Sequence, residues 1–369
     1  DMTMGTSQML TCMEDRLKEI DASVEVTNFG QEFNPFTFGI AKADMLIRGG
    51  NPDNMRYGNT LSDDKFSGFK FDYVISNPPF GIDWKVEAKA VEKEAALGDE
   101  GRFGVGLPSK SDGQMLFMLN GISKLKDDGR MAIIQNGSSL FSGDAGSGPS
   151  EIRRHIIEND WLEAIIQLPN DSFYNTGIAT YVWVVTKAKS RERKGKVQLI
   201  DASKCCEARR KSIGNKRVDI TEAARALIVK AYCAFKTETY KLDGMVCKSH
   251  IFVNNAFGFT KIVVESPLIE GGKKVLKKGR PVADTSKRDT ENVPLGEDIG
   301  EYMKREVLPY NPDAWVDETK SKVGYEIPFT RTFYEYKSIE PAETIAARIK
   351  EHESRLAAIL GDLFEEGEV

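Results

Sequence analysis

The chain has 369 residues, a formal net charge of −5 and an apolar share of 40%, enough to build one large core or two smaller ones. It holds no run of about 18 apolar residues and opens on no charged-then-apolar leader, so the expectation is a soluble, cytoplasmic protein with no membrane partner. Its acidity argues against strong unaided binding to DNA phosphates; its five cysteines, with three histidines, lack metal-ligand spacing, so the cysteines read as reduced thiols and no zinc site is expected.

In chain order, Leu10 to Ile20 has helical spacing after a polar, glycine-containing opening, a loop-to-helix transition of the kind that binds ligands. Phe29-Gly30-Gln31-Glu32 puts a carboxylate at the end of a short strand. Asn34 is placed to cap the next helix, with Pro35 in its first turn and Gly49-Gly50 just past its end. Gly58-Asn59-Thr60-Leu61 reads as a turn. Phe71 to Ser76 is a buried strand, and Asn77-Pro78-Pro79-Phe80 follows it directly.

That tetrapeptide carries the most chemical information in the chain. Two prolines remove two backbone donors and fix two φ angles, so the turn is rigid and its carbonyls are free to accept. An amino group conjugated to a heterocycle is a poor nucleophile, because its lone pair is delocalised. The Asn77 side-chain oxygen and the Pro78 carbonyl, both accepting from such an amine, would favour the pyramidal form whose lone pair is available. Phe80 is placed to stack on the base, worth roughly 1–3 kcal/mol. Asp83, close in sequence, reads as a solvent-facing turn residue.

Farther on, Gly98 to Asp112 and Ser142 to Ser150 are rich in glycine and serine and read as flexible active-site loops. Met115 to Leu125 has a helical stripe ending near Gly129, ahead of a strand over Arg130 to Gln135. Glu151 to Asn159 reads as a helix, and Leu162 to Leu168, Thr180 to Thr186 and Lys196 to Ile200 as strands. This alternation argues an α/β doubly wound sheet whose strand ends carry the ligand, with Glu32 and Asn77 on that edge. The basic residues Lys187, Lys189, Arg191, Arg193, Lys194, Lys196, Lys204, Arg209, Arg210, Lys211, Lys216 and Arg217 are candidate phosphate contacts or a solvated face. Gly271 to Gly300 reads as a mobile extension. Ile345, Ile349, Leu356, Ile359, Leu360 and Leu363 form one apolar side of a C-terminal helix, near 341–364.

Asn77-Pro78-Pro79-Phe80 resembles the catalytic tetrapeptide of amino-group methyltransferases that use S-adenosylmethionine. Gly143 to Gly148, Phe173 to Tyr181, Lys211 to Arg217 and Val323 to Arg331 narrow the resemblance to the modification subunit of type I restriction-modification systems. The resemblance implies a Rossmann-like S-adenosylmethionine-dependent methyltransferase sheet with helices on both faces, plus a C-terminal extension ending in a helix. It divides the chain into a catalytic domain, 1–240, and an extension, 241–369. It implies adenine-N6 methylation of duplex DNA, with Asn77, Pro78, Pro79 and Phe80 catalytic. Asp1, Gly5, Thr6, Ser7 and Gln8 would cradle the methionine part of S-adenosylmethionine, Glu32 the ribose, and Asn59 and Leu61 the adenine. Partners implied are DNA, a restriction subunit and a specificity subunit that meets the C-terminal end, with two modification subunits per specificity subunit.

Met2 and Ser7 depart from the proline and second glycine of the family's loop, and the resemblance implies a first strand and a helical domain ahead of Asp1. Two other readings compete: methylation of a protein glutamine or an RNA base, and a non-catalytic fragment that only binds partner subunits.

Overall fold

The computed structural model describes residues 1–336 and 340–365, with side chains through residue 360. The chain opens with a loop into α1 (Gln8–Ile20), then β1 (Gly30–Glu32), α2 (Pro35–Ile47), β2 (Met55–Tyr57) and β3 (Phe71–Ser76). The Asn34 side chain accepts from the N–H groups of Phe36 and Thr37, so the predicted cap fixes the start of α2. Next come α3 (Ala88–Ala95), α4 (Gln114–Ser123), β4 (Leu125–Asn136), α5 (Ser138–Phe141), α6 (Gly148–Glu158), β5 (Leu162–Gln167), β6 (Thr180–Thr186) and β7 (Lys196–Lys204). Then follow β8 (Glu207–Ile213), β9 (Lys216–Asp219), α7 (Glu222–Ala234), β10 (Glu238–Leu242), β11 (Met245–Val253) and β12 (Gly258–Glu265).

Seven strands form one sheet in the order β10-β11-β7-β5-β6-β4-β3. It is mixed: β4 pairs parallel with β3, β5 pairs parallel with β7, and β6 runs antiparallel between β4 and β5. The carboxyl ends of β3, β4, β5 and β7 therefore share one edge. The central strands are built from β-branched and aromatic residues, and Ile133, Ile165, Trp183, Val185 and Leu199 are fully buried. Fully burying one such side chain contributes roughly 1.5–3 kcal/mol. The helix before β4 ends at Ser123, earlier than its apolar stripe predicts. The Phe71 N–H takes the Lys124 carbonyl at 2.8 Å and Leu125 pairs with Phe71, so sheet pairing captures the chain first.

β1 and β2 pair in parallel as a separate ribbon. Between that ribbon and β3 lies a cavity of about 500 Å³, lined by Met2, Phe29, Gln31, Phe71, Val74 and Asn120 among others. β10, which spans residue 240, and β11, which follows it, belong to the seven-stranded sheet. β12 centres a second sheet, pairing with Asp289–Pro294, Trp315–Val316 and Lys322–Tyr325. Six consecutive pairs hold Asp289–Pro294 to β12, so that part of the expected mobile extension is instead ordered sheet.

Thr330–Val369 is a second compact unit, separate from Asp1–Phe329. Its helix spans Ala342–Glu365, and among the described side chains Ile345, Ile349, Leu356, Ile359 and Leu360 are exposed. The side chain of Leu363 lies outside the described residues. No helix among the described residues is long and apolar enough to cross a membrane.

The Arg153 side chain joins the second sheet to α5 and α6. Fully buried, it donates to the carbonyls of Tyr325 at 2.6 Å, Ser139 at 3.1 Å and Ser142 at 2.8 Å. Burial pulls its pKa down to about 10, still charged at neutral pH. Arg153→Met strands these carbonyls, each at a cost of about 1–3 kcal/mol. Urea unfolding should show a loss of at least about 3 kcal/mol, and a loss under about 1 kcal/mol would contradict this role.

Candidate functional site

The loop Asp1–Ser7 lies against both β1 and β3. Gln31 N–H donates to the Asp1 carbonyl at 3.0 Å, and Met4 N–H to the Gln31 carbonyl at 3.1 Å. On the other side the Ser76 hydroxyl donates to the Asp1 carboxylate at 3.0 Å and lies 2.6 Å from the Thr3 hydroxyl. Asp1 Oδ1 also accepts from Thr3 N–H at 2.9 Å, which folds the loop onto itself. Gly5 and Ser7 both have left-handed backbone, φ 55° and 65°. Serine at position 7 thus occupies a conformation that favours glycine, at a modest strain cost. Its hydroxyl is buried with no partner among the described residues, and its side chain does not cap α1. Thr6 is half-buried and Gln8 exposed.

Glu32 ends β1 and points its carboxylate back at this loop. Oε2 accepts from Gly5 N–H at 2.9 Å and Oε1 from Asn34 N–H at 2.7 Å. The Glu32 carbonyl accepts from Gly58 N–H at 3.0 Å, bringing the turn after β2 alongside. Within that turn the Asn59 amide oxygen accepts from Leu61 N–H at 2.9 Å, and its amide nitrogen donates to Glu87 at 2.8 Å. Both ends of Asn59 are therefore engaged inside the protein. Leu61 is buried, so its side chain anchors the turn and presents only backbone to a ligand.

Asn77 continues directly from Ser76. Its side-chain oxygen is buried with no hydrogen-bond partner among the described residues. Left unmet, such an acceptor costs about 1–3 kcal/mol, a cost that a bound donor would offset. Pro78 is buried, Pro79 exposed and Phe80 half-buried, and Gly81 turns the chain at φ 63°. Asp83 is exposed and its carboxylate pairs with Lys85 at 3.2 Å. The hydrogen bond from Lys85 holds that carboxyl below the ordinary range.

The structure brings the loop, Glu32, the Asn59 turn and the start of the tetrapeptide into one connected set. Sequence reasoning missed the residues that connect them: Thr3, Ser76, Thr60, Glu87 and Arg102. Ser76 and Thr60 adjoin residues singled out by motif, which was the available signal. Glu87 and Arg102 carried none.

The basic residues divide. Lys189 is buried and paired with Asp160 at 2.6 Å, and Arg193 is buried against Glu163 at 3.4 Å, so these two serve the core. Arg191, Lys194, Lys196, Lys204, Arg210, Lys211 and Arg217 are exposed. The β8–β9 hairpin follows β7 at the carboxyl edge. It is held to the loop after β5 by Asn215 N–H on the Tyr174 carbonyl and Arg217 N–H on the Asp171 carbonyl, both at 2.9 Å.

A model of the N-6 DNA methylase family matches residues 1–260. The chain belongs to the N-6 DNA methylase family. Among its relatives, the type I restriction enzyme MjaIX methylase subunit of Methanocaldococcus jannaschii is 28% identical over 280 residues, 76% of this chain and 46% of that one. The HindI methylase subunit of Haemophilus influenzae is 32% identical over 179 residues, 48% of this chain and 38% of that one. The solved methyltransferase subunit of a type I restriction-modification system from Streptococcus thermophilus superposes with a TM-score of 0.55 at 27% identity, covering 69% of this chain and 50% of that one. The aligned region thus spans half or less of each relative. The resemblance read from the tetrapeptide and the segments after it is borne out, as is the α/β methyltransferase fold.

Glu32→Ala removes the acceptor of both Gly5 and Asn34. Hydrogen exchange at these two amides should then accelerate, with a stability loss of about 1–3 kcal/mol. Unchanged protection at Gly5 would contradict the bridge.

Proposed function

We propose that this chain methylates adenine N6 in duplex DNA, using S-adenosylmethionine, as part of a modification subunit of a type I restriction-modification complex. The observation that carries this reading is the unpartnered, buried oxygen of Asn77, one residue beyond a hydroxyl bonded to the Asp1–Ser7 loop. An acceptor kept free in a rigid turn suits an amino group that arrives with its own N–H donors. The residues present fit the cofactor. Left-handed Gly5 and Ser7 open the loop at the head of α1, the buried Ser7 hydroxyl lacks a partner, and each Glu32 oxygen keeps a second acceptor site for ribose hydroxyls. When bound, the cofactor supplies an electrophilic methyl group.

Asn77 and the Pro78 carbonyl hold the amine, Phe80 stacks on the base, and positioning is the main catalytic device. The base reaches them only by leaving the duplex stack, which costs a few kcal/mol. In a complex assembled with a specificity subunit and target DNA, Asn77→Ala should lower methyl transfer by about 10²–10³-fold without unfolding the chain. Wild-type turnover would overturn the assignment.

DNA recognition resides with the partner in this reading. A net charge of −5 leaves exposed arginine and lysine on the β8–β9 hairpin as local phosphate contacts on the carboxyl edge. The apolar side of the terminal helix, with Ile349 55% and Leu356 58% exposed, fits a helix of the specificity subunit. Two modification subunits would join one specificity subunit, together with a restriction subunit. Deleting Ala342 to Val369 should abolish co-purification with the specificity subunit and leave the melting temperature of the remaining chain within a few degrees. A truncated chain that assembles at undiminished affinity would contradict this.

A further inference from the structure

The segment joining α3 to α4 has no catalytic motif, and its composition predicts a flexible loop. The structure anchors it at both ends. Toward the tetrapeptide, the Trp84 backbone N–H donates to the Lys110 carbonyl at 3.0 Å, its indole N–H to the Ser109 carbonyl at 2.9 Å, and Gly113 N–H to the Ile82 carbonyl at 3.1 Å. Toward the Asp1–Ser7 loop, a single arginine does the joining.

The Arg102 side chain is only 12% exposed, and its five N–H donors meet five acceptors. Nε and Nη2 form a two-point pair with Glu94 at 2.7 and 2.6 Å. Nη1 donates to the Thr60 carbonyl at 2.7 Å and to Asn120 Oδ1 at 2.9 Å, and Nη2 to the Leu61 carbonyl at 3.2 Å. Thr60 and Leu61 are the two residues after Asn59. The Thr60 hydroxyl donates in turn to the Met2 carbonyl at 2.5 Å, and the Asn120 amide to the Met2 sulfur at 3.2 Å. One guanidinium therefore fixes the Asn59 turn directly and the Asp1–Ser7 loop through Met2.

Two further features fit this role. Burial alone would raise the Glu94 carboxyl pKa, but its bonds to Arg102 hold it below the ordinary range, so the pair stays ionised. A Cβ at Gly101 would sit 2.1 Å from the Glu94 carbonyl, so only glycine lets the Arg102 backbone come this close. A lysine offers three donors at one point and cannot span carboxylate, amide and two carbonyls together.

We propose that Arg102 is a positioning residue for the cofactor, setting the turn Asn59–Leu61 and the loop Asp1–Ser7 in the geometry that receives the adenosine half of S-adenosylmethionine. This rests on the cofactor reading above. Arg102 touches neither substrate nor reacting atoms, so its loss should raise the dissociation constant and KM for cofactor and spare kcat at saturation.

The test is calorimetric titration of S-adenosylmethionine into the wild-type chain, Arg102→Lys and Arg102→Gln, with thermal unfolding of each and saturation kinetics in the assembled complex. Expected is a dissociation constant raised by about tenfold in Arg102→Lys and more in Arg102→Gln, about 1.4 kcal/mol or above, with kcat within about twofold. Adenosine alone should lose the same factor. A folded variant of either kind that binds within about twofold of wild type would overturn the proposal, and failure of both variants to fold would show that Arg102 serves the fold instead. A wild-type chain that binds no S-adenosylmethionine would overturn the cofactor reading itself, and this proposal with it.

Discussion

The hydrogen bond from the Ser76 hydroxyl to the Asp1 carboxylate joins the two halves of the site. Ser76 is fully buried as the last residue of β3, so its position is set by the sheet. Asp1 belongs to the loop that also reaches β1 through Gln31 and Glu32 through Gly5. A loop tied to a strand end on each side has little freedom, and the residue after Ser76 is Asn77. The separation between the loop and the amide is therefore fixed by covalent geometry and a few short hydrogen bonds. Rigid placement of this kind suits the proposed methyl transfer, in which the acceptor is a weak nucleophile.

Much of this edge was legible in the sequence because its signals are local. Asn34 capping α2, the strand before Asn77 and the carboxylate ending β1 each follow from a few adjacent residues with a stated preference. The connections between these elements were not legible. Arg102 meets Thr60 from 42 positions away and Ser76 meets Asp1 from 75, distances over which no periodicity or spacing speaks. Sheet topology was partly hidden for the same reason. β6 reads as one more strand, and only its partners on both sides reveal that it runs against them.

Charge gave a mixed message. A run of lysine and arginine reads as surface, yet Lys189 lies buried with Asp160, and Arg193 shares Glu163 with Arg130 while facing the rings of Tyr232 and Phe235. Breaking such pairs leaves a buried charge uncompensated, so these residues are bound to the core regardless of what the surface binds. The exposed remainder sits partly on the β8–β9 hairpin, on the same edge as Asn77. Composition cannot separate the two groups, since the separation is made by partners distant in sequence.

In the proposed reaction, cofactor and target amine meet at the edge formed by the Asp1–Ser7 loop, Glu32, the Asn59 turn and Asn77. Photocrosslinking methyl-labelled S-adenosylmethionine to the chain, followed by peptide mapping, locates that meeting point. Label should be confined to peptides that contain Gly5 to Gln8, Glu32, Asn59 to Leu61 or Asn77 to Phe80, and excess unlabelled cofactor should compete it away. Competable label confined to Phe69 or Tyr73, which line the cavity between β1 and β3 outside those peptides, would sink this placement.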